Sequence, residues 1–152
     1  MHLYTGRTEF LFRGLLVEAV RLTCVDLSSV AYLYLAHCLQ KNIARLDILA
    51  FRVVDHMSQA QQHPSLAHRR DFYLTGAEAC LLLTGLFPEV PERRHMSVGF
   101  YVEYGKMLYH TAGRYEPKDA PYPSGQLAQE FEPMAKTLRG VRALRNHTEY
   151  QL

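Results

Sequence analysis

Phe72–Phe87 reads FYLTGAEACLLLTGLF, sixteen residues in which Glu78 is the single charge. A helix that is apolar or small on nearly every side has no face to give to water, so neighbouring elements must cover it all round. The run is closed on its carboxy side by Pro88-Glu89-Val90-Pro91, because proline lacks the amide hydrogen and its ring collides with the preceding turn. Upstream, His63-Pro64-Ser65 reads as a break, since the residue before a proline is pushed out of the helical region. A helix from about Ser65 to Leu86 follows, and an interior helix implies several partners.

Those partners are legible on both sides. Phe12, Leu15, Leu16, Ala19 and Val20 recur at helical spacing within Thr8–Thr23. Asp26 or Ser28 can cap a second helix over Ser29–Ile43. Between Val30 and Leu39 its only strongly polar side chain is His37, so this helix is expected to be central, buried as deeply as the fourth. A third is expected from Asp47 to Gln62, and a fifth from a Ser97 cap to Ala112 or Gly113 with Tyr101, Tyr104, Gly105, Leu108 and Ala112 on one stripe. Pro117, Pro121 and Pro123 mark residues 115–125 as a proline-rich connection. The last helix, Gln126–Arg145, carries Leu127, Phe131, Met134, Leu138 and Val141, and Pro133 inside it predicts a kink or a fresh start. No stretch alternates with period two. The fold class is all-α, a single domain over residues 1–152 with five to seven helices.

The chain has 152 residues, 48% hydrophobic, with Lys+Arg 17 against Asp+Glu 15. That is too apolar for a disordered chain, and a net charge of +2 is too small to argue for nucleic acid or an anionic membrane. The apolar run from Phe10 is interrupted by Arg13 and Glu18, so no membrane partner is expected. Cys24, Cys38 and Cys80 are odd in number and form no CxxC pair. With no basic-then-apolar leader pattern at the amino terminus, they point to a reducing, cytoplasmic setting. None of the eight histidines pairs at metal-ligand spacing, and phosphate-loop, dinucleotide and nucleophile-elbow motifs are missing. No metal or cofactor is expected.

Tyr73–Glu89, YLTGAEACLLLTGLFPE, followed by Ser97–Tyr109, SVGFYVEYGKMLY, resembles a family of small, uncharacterised bacterial helical proteins. Its pattern runs Leu-Gly-Asp, an apolar helix, Gly-Phe-Phe-Pro, then Tyr-Tyr, Gly and Ala-Tyr. Gly76, Gly85, Phe87 and Pro88 match the first half, and Tyr101, Gly105 and Tyr109 the second. VAYLYLAHCLQ (Val30–Gln40) and LAQEFEPMAKTLRGV (Leu127–Val141) are similar to its weaker parts. Ala77 stands where the pattern has an acid, Phe100 where it has the first tyrosine and Leu108 where it has alanine. Glu78 is one residue along, a rotation of about 100°. The resemblance implies an all-helical fold and brings no activity with it.

Glu78 is the principal site candidate, because an ionised carboxylate on an apolar helix must be paired, hydrogen-bonded or turned to the surface. If buried, its expected partners are Tyr101, Tyr109, His37 and Arg13. Glu78, Tyr101, Tyr109 and His37 are thus the candidate ligand-binding set; the alternative for the tyrosines is plain core packing, and for His37 a buried, hydrogen-bonded position. Lys136, Arg139, Arg142 and Arg145 advance about 60° per step of three, which predicts a solvated basic face. Two functional readings follow. One is a non-enzymatic helical interaction or regulatory protein that self-associates as a homodimer. The alternative is a small-ligand-binding or catalytic helical domain with an internal pocket near Glu78 and the Tyr101/Tyr109 helix.

Overall fold

In a computed structural model of the chain, which describes residues 2–42, 51–60 and 66–150, the run around Glu78 is the middle of a helix, α4 (Leu66–Leu86), and every residue from Gly76 to Gly85 is buried. The other helices are α1 (His2–Thr23), α2 (Ser29–Asn42), α3 (Val53–Ala60), α5 (Glu89–Arg93), α6 (Val98–Ala112), α7 (Ser124–Gln129) and α8 (Phe131–Tyr150), with a 3-10 turn at Gly113–Tyr115. No strand occurs among the described residues. Nor is any helix among them long and apolar enough to cross a membrane.

Helix α6 runs antiparallel beside α4. Tyr73 near the start of α4 stacks on Tyr115 beyond the end of α6, and a Cβ at Gly105 would meet Cys80 Cβ at 3.0 Å and the Phe131 ring at 2.5 Å. Gly85 brings α8 in on another side, where an added Cβ would collide with Leu138. Helix α1 lies on α8 where Gly140 faces Ala19 and Thr23. One core cluster results, built on Leu16, Leu35, Leu81, Leu83, Tyr101, Tyr109, Phe131, Met134 and Leu138.

The last turn of α4 leaves carbonyls that the helix cannot satisfy itself. Phe87 N–H donates to Leu83 O at 2.9 Å, Arg139 Nε to Thr84 O at 3.2 Å and Arg142 to Leu86 O at 3.0 Å. The Arg142 guanidinium also pairs with Glu89 at 2.5 Å and thereby holds that carboxyl below its ordinary range. Two of the four basic residues of α8 therefore terminate α4, which corrects the expectation of a purely solvated face. A cation at a helix carboxy terminus also complements its dipole.

Three further expectations are corrected. There are eight α-helices among the described residues rather than five to seven. The additional ones are short: α5 forms within the predicted break, and α7 is split from the last helix at Glu130. Pro133 is the third residue of α8, where its missing amide hydrogen has no intrahelical acceptor to lose; the fresh start lies just before it. The proline-rich connection narrows to residues 116–123, since Ser124 and Gly125 already belong to α7, held by Ser124 N–H and Oγ–H donating to the Glu116 carboxylate at 2.9 and 2.6 Å. Finally, α2 is a cover rather than a central helix, because Leu33 and His37 face solvent. Ser28 caps it as expected, accepting from Ala31 N–H at 3.1 Å. Ser97 caps α6 by accepting from Phe100 N–H at 3.1 Å. The expected boundaries at Ile43, Asp47, Gln62 and Ser65 lie outside the described residues.

Among the described residues, two non-glycine residues sit in the left-handed region, Cys24 with φ 55° after α1 and His95 with φ 57° after α5. At His95 the chain closes a Schellman turn, with Met96 N–H donating to Pro91 O at 3.0 Å and His95 N–H to Glu92 O at 3.1 Å.

The glycines give a test with opposite signs. Gly85→Ala forces Leu138 and α8 outward and should lower stability by about 1–3 kcal/mol. Gly14→Ala, with nothing within 4 Å of its added carbon, should raise it by roughly 0.5–1 kcal/mol. Urea unfolding midpoints of both variants check this; equal shifts would contradict the packing described.

Candidate functional site

Glu78 is 7% exposed and turns toward α2. Its Oε1 accepts from Asn42 Nδ2 at 2.6 Å and its Oε2 from Lys41 Nζ at 3.4 Å. Both donors come from the last turn of α2, where the helical phase sets Tyr34, Cys38 and Asn42 above one another at intervals of four. Cys38, one turn before Asn42, is fully buried, and the Glu78 charge lies near enough to act on its thiol. Tyr34 in turn shares a hydrogen bond with Tyr109 of α6, oxygen to oxygen at 2.8 Å. Two buried polar pairs thus flank the Cys38 thiol along α2, the Tyr34 and Tyr109 phenols toward one end and Glu78 with Asn42 toward the other, where half-exposed Lys41 meets solvent.

Burial governs the ionisation of Tyr34, Cys38 and Tyr109. It pushes the Tyr34 and Tyr109 phenols and the Cys38 thiol well above their ordinary values, and the nearby Glu78 charge raises all three further. The Tyr34–Tyr109 bond ties α2 to α6 and the Asn42–Glu78 bond ties α2 to α4; at neutral pH Cys38 presents no thiolate.

Of the four residues expected to form the site, Glu78 and Tyr109 are both bonded to α2, through Asn42 and Tyr34 respectively. Tyr101 is not: it lies eight residues away on α6, about 12 Å along the axis, fully buried, and its hydroxyl has no hydrogen-bond partner. His37 is exposed and stacks on Tyr122, with ring centroids 6.1 Å apart; the expectation that it is buried is corrected. The donors to Glu78 are Asn42 and Lys41, which were not among its expected partners. A buried Glu78 was legible from the apolar helix around it, whereas the identity of its donors depends on how the end of α2 is set against α4.

A second polar contact was missed altogether. His56 of α3 is buried and lies flat on Phe72, with ring centroids 3.9 Å apart and 4° between planes, against Gly76. Its Nε2 is 3.1 Å from Phe72 O and its Nδ1 2.7 Å from the Tyr104 hydroxyl. A carbonyl only accepts, so Nε2 carries the hydrogen and Tyr104 donates to Nδ1. Burial lowers the His56 pKa from 6.5 and pushes the Tyr104 hydroxyl up to about 12. This imidazole is a clip that fastens α3 to α4 and α6. Nothing distinguished it among the eight histidines of the sequence except Gly76, whose missing side chain makes room for it. Among the described residues, no group of three or more His, Cys, Asp or Glu side chains is placed to hold a metal ion.

No protein-family model matches the chain, and neither a curated protein nor a solved structure is found to be similar to it.

Two predictions follow from this geometry. Glu78→Gln removes a charge whose donors are a neutral amide and a half-exposed ammonium that can return to water. The loss should be about 1–3 kcal/mol, and Lys41→Ala should change stability by no more than about 1 kcal/mol; chemical denaturation measures both. His56 supplies a pH signature. With its folded pKa below 6.5, the unfolded chain takes up a proton that the folded chain refuses as pH falls from 6.5 toward the folded value, and stability is lost across that window. Between pH 7.5 and pH 5.5 the unfolding free energy of the natural chain should drop more than that of His56→Gln, and equal drops would refute the assignment.

Proposed function

We propose that this protein is a cytoplasmic, non-enzymatic helical interaction or regulatory module that acts as a homodimer. The observation that carries the reading is an apolar pair on the outer side of α6. Phe100 is 42% and Met107 50% exposed; at seven residues apart they stand two turns from each other on one stripe. Both lie on the side of α6 that carries Tyr104; Val54 and Met57 of α3 are exposed as well. Glu103, beside the stripe, has its charge met by Lys106 at 3.6 Å.

A second copy fits this stripe for a physical reason. In a two-fold antiparallel crossing of α6 with itself, Phe100 of each protomer meets Met107 of the other, and a thioether against an aromatic ring is a favourable contact. The buried chemistry supports a binding role as well. His56 has both ring nitrogens engaged, Tyr34 and Tyr109 hold one another, and burial raises the Cys38 and Cys80 thiols away from reactive thiolate. The three free cysteines suit a reducing compartment.

Light scattering coupled to gel filtration should return twice the 17.5 kDa chain mass at micromolar concentration. Phe100→Glu and Met107→Glu should each return the single-chain mass with an unchanged helical circular dichroism spectrum. A monomer at all concentrations, or a dimer indifferent to both substitutions, overturns the proposal.

A further inference from the structure

We infer that the corner between the end of α2 and the middle of α4 is a binding site for a primary ammonium group on a small aliphatic carrier, with Lys41 as its displaceable internal occupant. This inference does not rest on self-association.

The corner has acceptors to spare. Asn42 Nδ2 donates both to Cys38 O at 2.8 Å and to Glu78 Oε1 at 2.6 Å. Both are acceptors, so the orientation of the amide is set by its surroundings; exchanging its ends would bring oxygen against oxygen twice. The remaining end, Asn42 Oδ1, is buried and has no hydrogen-bond partner. A buried carbonyl oxygen without a donor is unfavourable and rare in a folded protein. It belongs to the same amide that touches Glu78, so a single donor group can reach it and the carboxylate together.

Among the described residues the cation paired with Glu78 is Lys41, and it fits loosely. Lys41 Nζ is 3.4 Å from Glu78 Oε2, at the outer limit of a hydrogen bond, and its side chain is 50% exposed. Glu78 itself is 10% exposed at the side chain. A carboxylate has about four acceptor positions, and an ammonium ion has three N–H donors that diverge from one point. An ammonium arriving along the path of the Lys41 side chain would donate to Glu78 Oε2 and to Asn42 Oδ1, leaving Lys41 free to return to water. The deep side of the corner is closed by Cys38, which is fully buried. A cation without N–H groups meets the charge of Glu78 but leaves Asn42 Oδ1 as it was, so recognition is by hydrogen bonding as well as by charge.

Thermal unfolding of the full chain in n-butylammonium, tetramethylammonium or sodium chloride at matched ionic strength tests this. The expected result is a saturable rise in midpoint with n-butylammonium and none with the other two salts. In Lys41→Ala the apparent binding should tighten about two- to fivefold, the equivalent of removing one part-exposed ion pair. In Glu78→Gln and in Asn42→Leu the rise should vanish. No difference between n-butylammonium and tetramethylammonium in the natural chain overturns the site, whatever the variants do. A rise that survives in Asn42→Leu places the amine elsewhere on the protein and overturns it equally, so the outcome does not depend on Glu78→Gln folding.

Discussion

Ten consecutive residues of α4, Gly76 to Gly85, are buried, and the other helices are arranged to satisfy that one constraint. A helix covered on all sides must be approached closely, and small residues at Gly76, Gly85 and Gly105 let an imidazole, α8 and an aromatic ring reach the backbone. It must also be supplied with partners for its polar groups, since an unpaired buried group costs about as much as a lost hydrogen bond. Arginines from α8 meet its terminal carbonyls, and the end of α2 meets its buried carboxylate, Glu78. Helices α2, α3 and α8 are thus each fixed to α4 by hydrogen bonding at a specific point, and α6 by close packing at Gly105.

Composition and periodicity carried the all-helical class. Periodicity placed α4, α6 and the end of α1, whose start lies six residues before the expected Thr8, and side-chain chemistry placed the caps at Ser28 and Ser97. What it did not carry was which of two apolar helices lies inside. Val30–Leu39 looks as hydrophobic as the run around Glu78, yet Leu33 points to water while Leu82 and Leu83 do not. An isolated helix cannot report how many neighbours surround it. That is a property of the whole packing, and an exposed leucine is unremarkable on its own.

The polar contacts divide in the same way. That Glu78 needs company follows from one charge in an apolar run; that the company is Asn42 and Lys41 follows from the register between two helices thirty-six residues apart in sequence. Arg139 and Arg142 appear as members of an evenly spread basic run, and their role emerges only when α8 is laid along α4 with its charges at the terminal carbonyls. His56 is the extreme case, a single ring recognised by a carbonyl, a phenol and a glycine from two other helices. Short-range rules see which residues want partners, and tertiary register decides which partners they receive.

The dependence of α4 on α8 has a consequence for the order in which the chain is made. Residues 76–85 leave the ribosome more than fifty residues before Arg139 and Arg142, which close the end of that helix. Throughout that interval the most apolar segment of the protein lacks both its covering helix and the donors for its last carbonyls. Exposed apolar surface of this kind is what makes nascent chains prone to aggregate and a target of holding chaperones. Native structure around α4 is therefore completed only once α8 has been made, and a ribosome stalled before residue 139 carries a segment that water and neighbouring chains both reach.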